Sequence, residues 1–510
     1  MKNLVLHGGL VVDGTGTPPY VASVFVRDGR IAEISQDPRH ANVEVIDCAG
    51  LIVAPGFIDA HSHSDLQVLE NAPEKLLQGV TSEVVGNCGF SVYPAAERAE
   101  ELREFANGIF CGGESWGWQN ARAYLADAQA RCKTNVLSLV GHGSLRIAVA
   151  GHRLGELETH AVDTMVGLLD DALSEGAAGM STGLMYSPGA SSPALELDRL
   201  CAVVAHHGKL HTTHMRDYSD KVCESLREQI GVATRTGCKL QISHLQVVGP
   251  RNWGKQQMAL ELIEKAQQEG VDIAFDCYPY TRGSTVATQL LPQWAMEGGM
   301  RGLRARLVLA KERKMISTEM NDALAQGWSG ILISAIASAE WQHLVGQSIA
   351  EIAEQRKAEP ASVVLDLLQQ ENGAINILEM NQSEENLRQT LTHPLSIIIS
   401  DGFYVKGRPH PRLYGTFPYL LGEIARRRRW LTMEEAIAKI TYRPAQRFGM
   451  KQRGKIEVGY HADIAIFDPD KVDSAATYEN PKVNPIGIRF VLREGRILVK
   501  DGLLWDPTKA

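Results

Sequence analysis

Between residues 51 and 402 the chain repeats one alternation. A short run of apolar residues with little polar interruption gives way to a longer stretch whose apolar positions recur at helical spacing. Eight such runs stand out: LIVAPGFIDA (51–60), TSEVVGN (81–87), NVLSLVGH (135–142), AAGMSTGL (177–184), KLHTTHMR (209–216), KLQISHLQ (239–246), DIAFDCYPY (272–280) and LSIIISDG (395–402). A run that is apolar throughout, such as the first, suits a parallel strand covered on both faces. The stretches between them, such as DTMVGLLDDALSEG and MALELIEKAQQEG, space their apolar residues by three and four and close on glycine, as amphipathic helices do. Eight strands with helical crossovers predict an α/β fold, a (β/α)8 barrel of the TIM type. The gap between the seventh and eighth strands is too long for one helix. It predicts an insertion at about 285–346, rich in Trp, Arg and Met, lying over the barrel mouth as a lid or pocket wall.

Both chain ends read differently. LVLHGGLVVDG, ASVFVRDGRIAEIS and VEVIDCAG precede the first barrel run, with turn signals at Asp13-Gly14 and Asp28-Gly29. GKIEVGYHADIAIFDP and GIRFVLREGRILVKDG answer them at the far end. Neither end alone offers enough strands for a stable unit. Together they predict one small β-sandwich domain, residues 1–54 plus 447–510, beside a barrel spanning 55–446.

Composition narrows the setting more than the chemistry. At 510 residues, 44% hydrophobic and 22% charged, the chain has room for a large barrel and a smaller domain of ordinary globular make-up. A formal net charge of -8 offers no basic patch for nucleic acid or anionic lipid. No apolar run reaches the length of a membrane span, and the opening MKNLVLHGGLVVDGTG is too interrupted for a signal-peptide core. Eight scattered cysteines do not read as a disulfide framework, so the expected compartment is the cytoplasm. Oligomeric state is not legible in the sequence.

The chemistry enters where the runs stop. In a (β/α)8 barrel the reactive side chains sit at the carboxyl ends of the strands. Strand one ends in His61-Ser62-His63, whose imidazoles, two positions apart on an extended chain, point to one side and can share a metal. Strand two runs into Cys88, strand five carries His214, strand six His244 and strand eight Asp401. Singly, each has a bland explanation as a packed core residue. Six metal-competent side chains at the same end of five strands do not. Imidazoles, a carboxylate and one thiolate suit zinc, which brings the pKa of a bound water to about 7. Asp401 is placed to take that water's proton and pass it to a leaving nitrogen. His142, at the end of strand three, has a local hydrogen bond as an equal alternative to a site role. His206 and His207 belong to the surface, and His410 is placed to orient Arg412.

At this point the chain resembles the amidohydrolase superfamily, and within it the N-acyl-D-amino acid deacylases (D-aminoacylases). The resemblance runs over essentially the whole chain, through PGFIDAHSHSD (55–65), GNCGF (86–90), GMSTGLMYSPG (179–189), THMRD (213–217), ISHLQVVG (242–249), DCYPYTRGST (276–285), SDG (400–402), PHPRLYGTFP (409–418) and GYHADIAIFDP (459–469). A cysteine after strand two, with no lysine at the end of strand four to be carbamylated, marks this branch. The resemblance implies a tight zinc on Cys88, His214 and His244, and a second, weaker position formed by His61, His63 and Asp401, with Cys88 able to bridge. Asp401 is implied as general acid/base, and Arg412, Tyr186 and Tyr278 as the holders of the substrate carboxylate or carbonyl. Gln246 departs from the family, which commonly has a lysine there. Arg282, in the TRGST turn, either compensates for that lost cation or meets an acidic substrate side chain. The implied partner is a small N-acyl amino acid, hydrolysed to a carboxylic acid and a D-amino acid. The alternatives are a related enzyme opening a cyclic or dipeptide-like amide and, remotely, an inactive barrel that only binds.

Overall fold

A computed structural model describes residues 3–36, 43–111, 116–371 and 375–505. The eight barrel strands form where the apolar runs place them: Phe57–Asp59, Val80–Val85, Asn135–Gly141, Gly179–Gly183, Leu210–His214, Lys239–Ile242, Ile273–Cys277 and Ser396–Ile398. They pair side by side in chain order, all parallel. The seam between last and first closes just beyond them. Ser62 and Gly402 bridge in parallel, and the Asp401 and His63 amides donate to the His61 and Gly402 carbonyls at 2.9 and 3.0 Å. Every residue of Val80–Val85 is buried, as covering on both faces requires. Crossover helices lay apolar stripes on the sheet; Thr159–Ser174 buries Val162, Met165, Leu169 and Ala172. Among the described residues no helix is long and apolar enough to cross a membrane.

The first apolar run proves to be two strands. Ile52–Pro55 pairs with Ile464–Phe467 and with Leu4–Val11 in the terminal domain, and only Phe57–Asp59 enters the barrel. Gly56 makes the passage: a Cβ there would meet the Thr81 side chain at 2.3 Å. The run is apolar throughout because it serves two cores. Ile52, Ala54, Phe57, Leu76, Phe417 and Phe467 pack in one cluster shared by the barrel and the terminal strands. The strands of the two chain ends form one connected nine-stranded mixed sheet, branched at Leu4–Val11, where two separate sheets of a sandwich were expected; Leu6, Val24, Ile46, Val53, Ile464 and Leu492 share a core on it.

The excursion after strand seven is longer than the sequence pattern suggests. It builds its own antiparallel sheet from Arg282–Val286, Ile331–Ile336 and Ile375–Met380, the last in the middle, and so runs well past residue 346. Helices such as Ala310–Ala323 and Pro360–Gln370 close a separate core around Ile316, Ile333, Val364, Leu368 and Ile377.

One buried ion pair fastens the seam. Lys75 is 1% exposed, and its ammonium bonds Asp59 of strand one and the Ser400 hydroxyl beyond strand eight. Ser400 returns its amide to Asp59 Oδ1 at 3.0 Å. Removing one partner strands a buried charge, so Lys75→Met is expected to cost about 3–5 kcal/mol in denaturant unfolding. Adding Asp59→Asn should recover part of the loss; equal stability of Lys75→Met and parent would contradict the assignment.

Candidate metal centre

The six side chains meet at the mouth because the strands end in turns that force them inward. Cys88, His244 and Asp401 each adopt a positive φ, of 53°, 32° and 51°. A non-glycine residue pays about 1–3 kcal/mol for such a conformation, and it persists where the surroundings over-determine it. Three of them within one cluster mark a place where side-chain position outweighs backbone comfort. Neighbouring glycines permit the close approach: a Cβ on Gly183, at the end of strand four, would lie 1.9 Å from the Cys88 carbonyl oxygen.

Donor atoms of His61, Cys88, His244 and Asp401 all lie within 4.8 Å of one another. Cys88 Sγ is 3.3 Å from His61 Nε2 and 3.5 Å from His244 Nε2. Asp401 Oδ1 is 3.3 Å from His61 Nε2 and 3.2 Å from His63 Nε2. His214 stands at the edge of the group, its ring centroid 4.6 Å from that of His244. Both of its ring nitrogens are buried without a hydrogen-bond partner. Imidazole nitrogens are costly to bury unpaired, and a ligated metal is the ordinary resolution.

Electrostatics point the same way. Burial pulls the His214 and His244 imidazoles down, His244 to about 4, so both are neutral at pH 7 as ligands must be. Burial pushes the Cys88 thiol up to about 11, against the opposing charge of His61. Burial also opposes charge on His61, yet Cys88, Asp276 and Asp401 outweigh it and hold that imidazole well above its ordinary value. The cluster thus draws a positive charge into its centre, which is where zinc would sit. Burial works against the Asp401 carboxylate too, but Arg412 and then His61, His63 and His244 hold it well below the usual range. The donor set and the charge balance both fit zinc.

Asp276 was not singled out from the sequence, although an acid inside the apolar run IAFDC is a visible signal. Its Oδ1 accepts the His244 amide at 2.6 Å and lies 3.3 Å from His61 Nδ1, while Oδ2 accepts Gln241 Nε2 at 3.2 Å. It therefore ties strands six and seven to the first imidazole. Arg412, 1% exposed, places Nη1 2.9 Å from Asp401 Oδ2, with its guanidinium 4.7 Å from the Tyr278 ring centroid. His410 Nδ1 accepts the Arg412 amide at 3.0 Å, as expected of an orienting residue.

A cavity opens beside these groups, lined among others by Tyr186, Gln246, Tyr278, Asn381 and Glu379. Tyr186 leans over His214, centroids 4.8 Å apart, and its hydroxyl meets Thr285 Oγ1 at 3.1 Å. Gln246 Oε1 accepts from the Tyr278 hydroxyl at 2.8 Å and from Asn381 Nδ2 at 3.1 Å, a neutral network. Arg282 differs from expectation. Its guanidinium lies 5.6 Å from the Tyr478 ring centroid, and it is not part of the cavity wall, because its strand turns it towards the C-terminal segment. Glu379, Asn381 and Phe403, which do line the wall, went unnoticed because two of them come from the excursion's pairing.

Two other histidines have ion-pair partners of their own. His142 Nε2 meets Glu196 Oε1 at 2.8 Å in a buried group with Arg146, and His207 meets Asp170 at 2.7 Å on the surface. A second thiol–imidazole group, Cys201, His211 and Cys238, lies outside the mouth. There both His211 nitrogens are served, by Cys201 Sγ at 3.4 Å and Thr182 Oγ1 at 3.1 Å. That satisfaction sets it apart from His214.

The model of the amidohydrolase family matches residues 44–499. An N-acyl-D-glutamate deacylase of Alcaligenes xylosoxydans xylosoxydans is 36% identical over 97% of this chain and 93% of its own length. A D-aminoacylase of the same organism is 33% identical over the same shares. Among solved structures, an N-acyl-D-glutamate deacylase from Bordetella bronchiseptica, complexed with zinc and a phosphonate mimic of the tetrahedral intermediate, superposes with a TM-score of 0.84 at 32% identity, covering 98% of this chain and 96% of that one. A D-aminoacylase described as defining a novel subset of amidohydrolases has the same score and identity, over 99% and 98%.

Proposed function

Because the chain belongs to the amidohydrolase family, we propose that it is a zinc-dependent hydrolase of N-acyl-D-amino acids, releasing a carboxylic acid and a D-amino acid. The observation that carries this is the convergence of His61, Cys88, His244 and Asp401 at the barrel mouth, beside a His214 whose nitrogens are both orphaned. Cys88, His214 and His244 would hold the tight zinc; His61, His63 and Asp401 would form the weaker position. Bound there, zinc supplies a Lewis acid for the acyl carbonyl and lowers the pKa of water to about 7.

The chain's own residues do the rest. Asp401, ionised at neutral pH and facing the imidazoles through Oδ1, accepts a proton from the attacking water and returns it to the amide nitrogen as the C–N bond breaks. Arg412 holds the other oxygen at 2.9 Å and so fixes the carboxylate's orientation. Tyr186, Tyr278 and Gln246 line the cavity beside it and position the carbonyl and α-carboxylate. Phe403 and, from the excursion sheet, Ser284, Thr285 and Glu379 complete the wall of that cavity. The eight cysteines carry no disulfide in the structure and suit a reducing compartment, in keeping with a cytoplasmic setting.

A second reading, opening of a cyclic amide, draws on Gln246, which leaves a carboxylate clamp one cation short. One screen separates the two. N-acetyl-D- and N-acetyl-L-amino acids, together with hydantoins and dihydropyrimidines, are incubated with the zinc-loaded protein; amino-acid release is followed with ninhydrin, and ring opening of the cyclic amides, which frees no amine, by chromatography of the ureido acid. Release from D-compounds alone is expected; turnover of the cyclic amides and of no acetyl-D-amino acid would favour the second reading.

A further inference from the structure

We propose that the side-chain subsite of this cavity is built for a cation, so that the preferred substrates are N-acyl-D-amino acids with basic side chains, an ammonium or guanidinium, held by Glu379. The proposal deepens the deacylase reading and rests on it. Glu379 belongs to the central strand of the excursion sheet, where Ile375 and Ile377 share its parity and bury into the excursion's core. At the cavity end of that apolar face the strand places a carboxylate, 9% exposed. Glu379 lines both the metal cavity and an adjoining one, which share His214, Gln246 and Gln289.

Neither wall offers it a partner. Among the described lining residues of the two cavities there is no lysine or arginine, and the adjoining wall adds a second acid, Asp217. Arg412 pairs with Asp401, and Arg282, opposite Met380 on the neighbouring strand, lies against the Tyr478 face. Burial alone lifts the Glu379 carboxyl to about 7, with no neighbouring charge or hydrogen bond opposing it. Two further acceptors on the metal cavity's wall, Gln289 Oε1 and Asn381 Oδ1, are buried without donors. A carboxylate and two amide oxygens in want of N–H groups match the three donors of an ammonium or the fork of a guanidinium. A substrate bringing its own charge supplies the missing partner, and an acidic side chain, of the kind named for the 36%-identical relative, would meet like charge instead.

Two arms test this. In the first, kcat/KM is compared for N-acetyl-D-lysine, N-acetyl-D-norleucine, which keeps the four carbons and lacks the ammonium, and N-acetyl-D-glutamate. The expected order is lysine over norleucine by about tenfold or more, with glutamate last, and a collapse of the lysine-to-norleucine ratio to within about threefold in Glu379→Gln. A wild-type preference for norleucine or glutamate, or an unchanged ratio in the variant, overturns the proposal. In the second, calorimetry measures binding of D-lysine and D-norleucine to the zinc-loaded wild-type protein, where lysine is expected to bind about tenfold tighter. Equal affinities overturn the cation subsite whatever the turnover. Absence of turnover with a retained lysine preference contradicts the deacylase reading alone.

Discussion

Replacement of Asp401 by asparagine is expected to lower kcat by about a thousandfold while leaving the zinc content of the parent protein. The substitution isolates one property. Asparagine tolerates the left-handed backbone that Asp401 adopts at φ 51°, and its amide oxygen can still face His61 and His63. It cannot accept a proton from water and return it to nitrogen. Because the tight ligand set excludes Asp401, retained zinc with lost turnover is the distinguishing pattern. Near-parental activity at full zinc occupancy would remove Asp401 as the acid/base. Concurrent loss of metal and activity would make it a ligand first.

The second large effect is expected at Cys88. Cys88→Ala should retain no more than about a tenth of an equivalent of zinc after dialysis, by elemental analysis, and lose activity in proportion. The backbone is not at issue, since cysteine and alanine carry the same Cβ and bear the φ of 53° alike. What disappears is the only sulfur among the four converging donors, 3.3 and 3.5 Å from two imidazoles. The variant should also unfold at lower temperature than the zinc-loaded parent, because metal binding to the folded state alone stabilises it. Unchanged zinc per chain would exclude Cys88 from the ligand set.

Much of this architecture was legible in the sequence, for a physical reason. Buried parallel strands must be apolar, so each polar or metal-competent residue at a strand's end stands out, and His61, His63, Cys88, His214, His244 and Asp401 all stand at the same end. The same logic misread LIVAPGFIDA as one strand. A run shared by two cores is as apolar as a run through one, and only the backbone shows that Gly56 divides it. The excursion hid more. The strand INILEM looks from its sequence like any half-buried segment. Its pairing with Arg282–Val286, nearly a hundred residues away, turns Arg282 out of the wall and brings Glu379 in. Sequence spacing therefore located the chemistry of bond cleavage but not the charge of the side-chain subsite, which depends on long-range register. Asp276 falls between: it was visible as an acid in an apolar run, and only the structure ties it to His61 and His244.

The most direct test is a zinc titration of chelator-stripped protein, following release of the D-amino acid from whichever N-acetyl-D-amino acid the screen turns over best. The stripped protein should be inactive, and activity should rise with zinc to a plateau near one equivalent per chain. Full activity in the metal-free protein would contradict a metal-dependent reaction at this mouth.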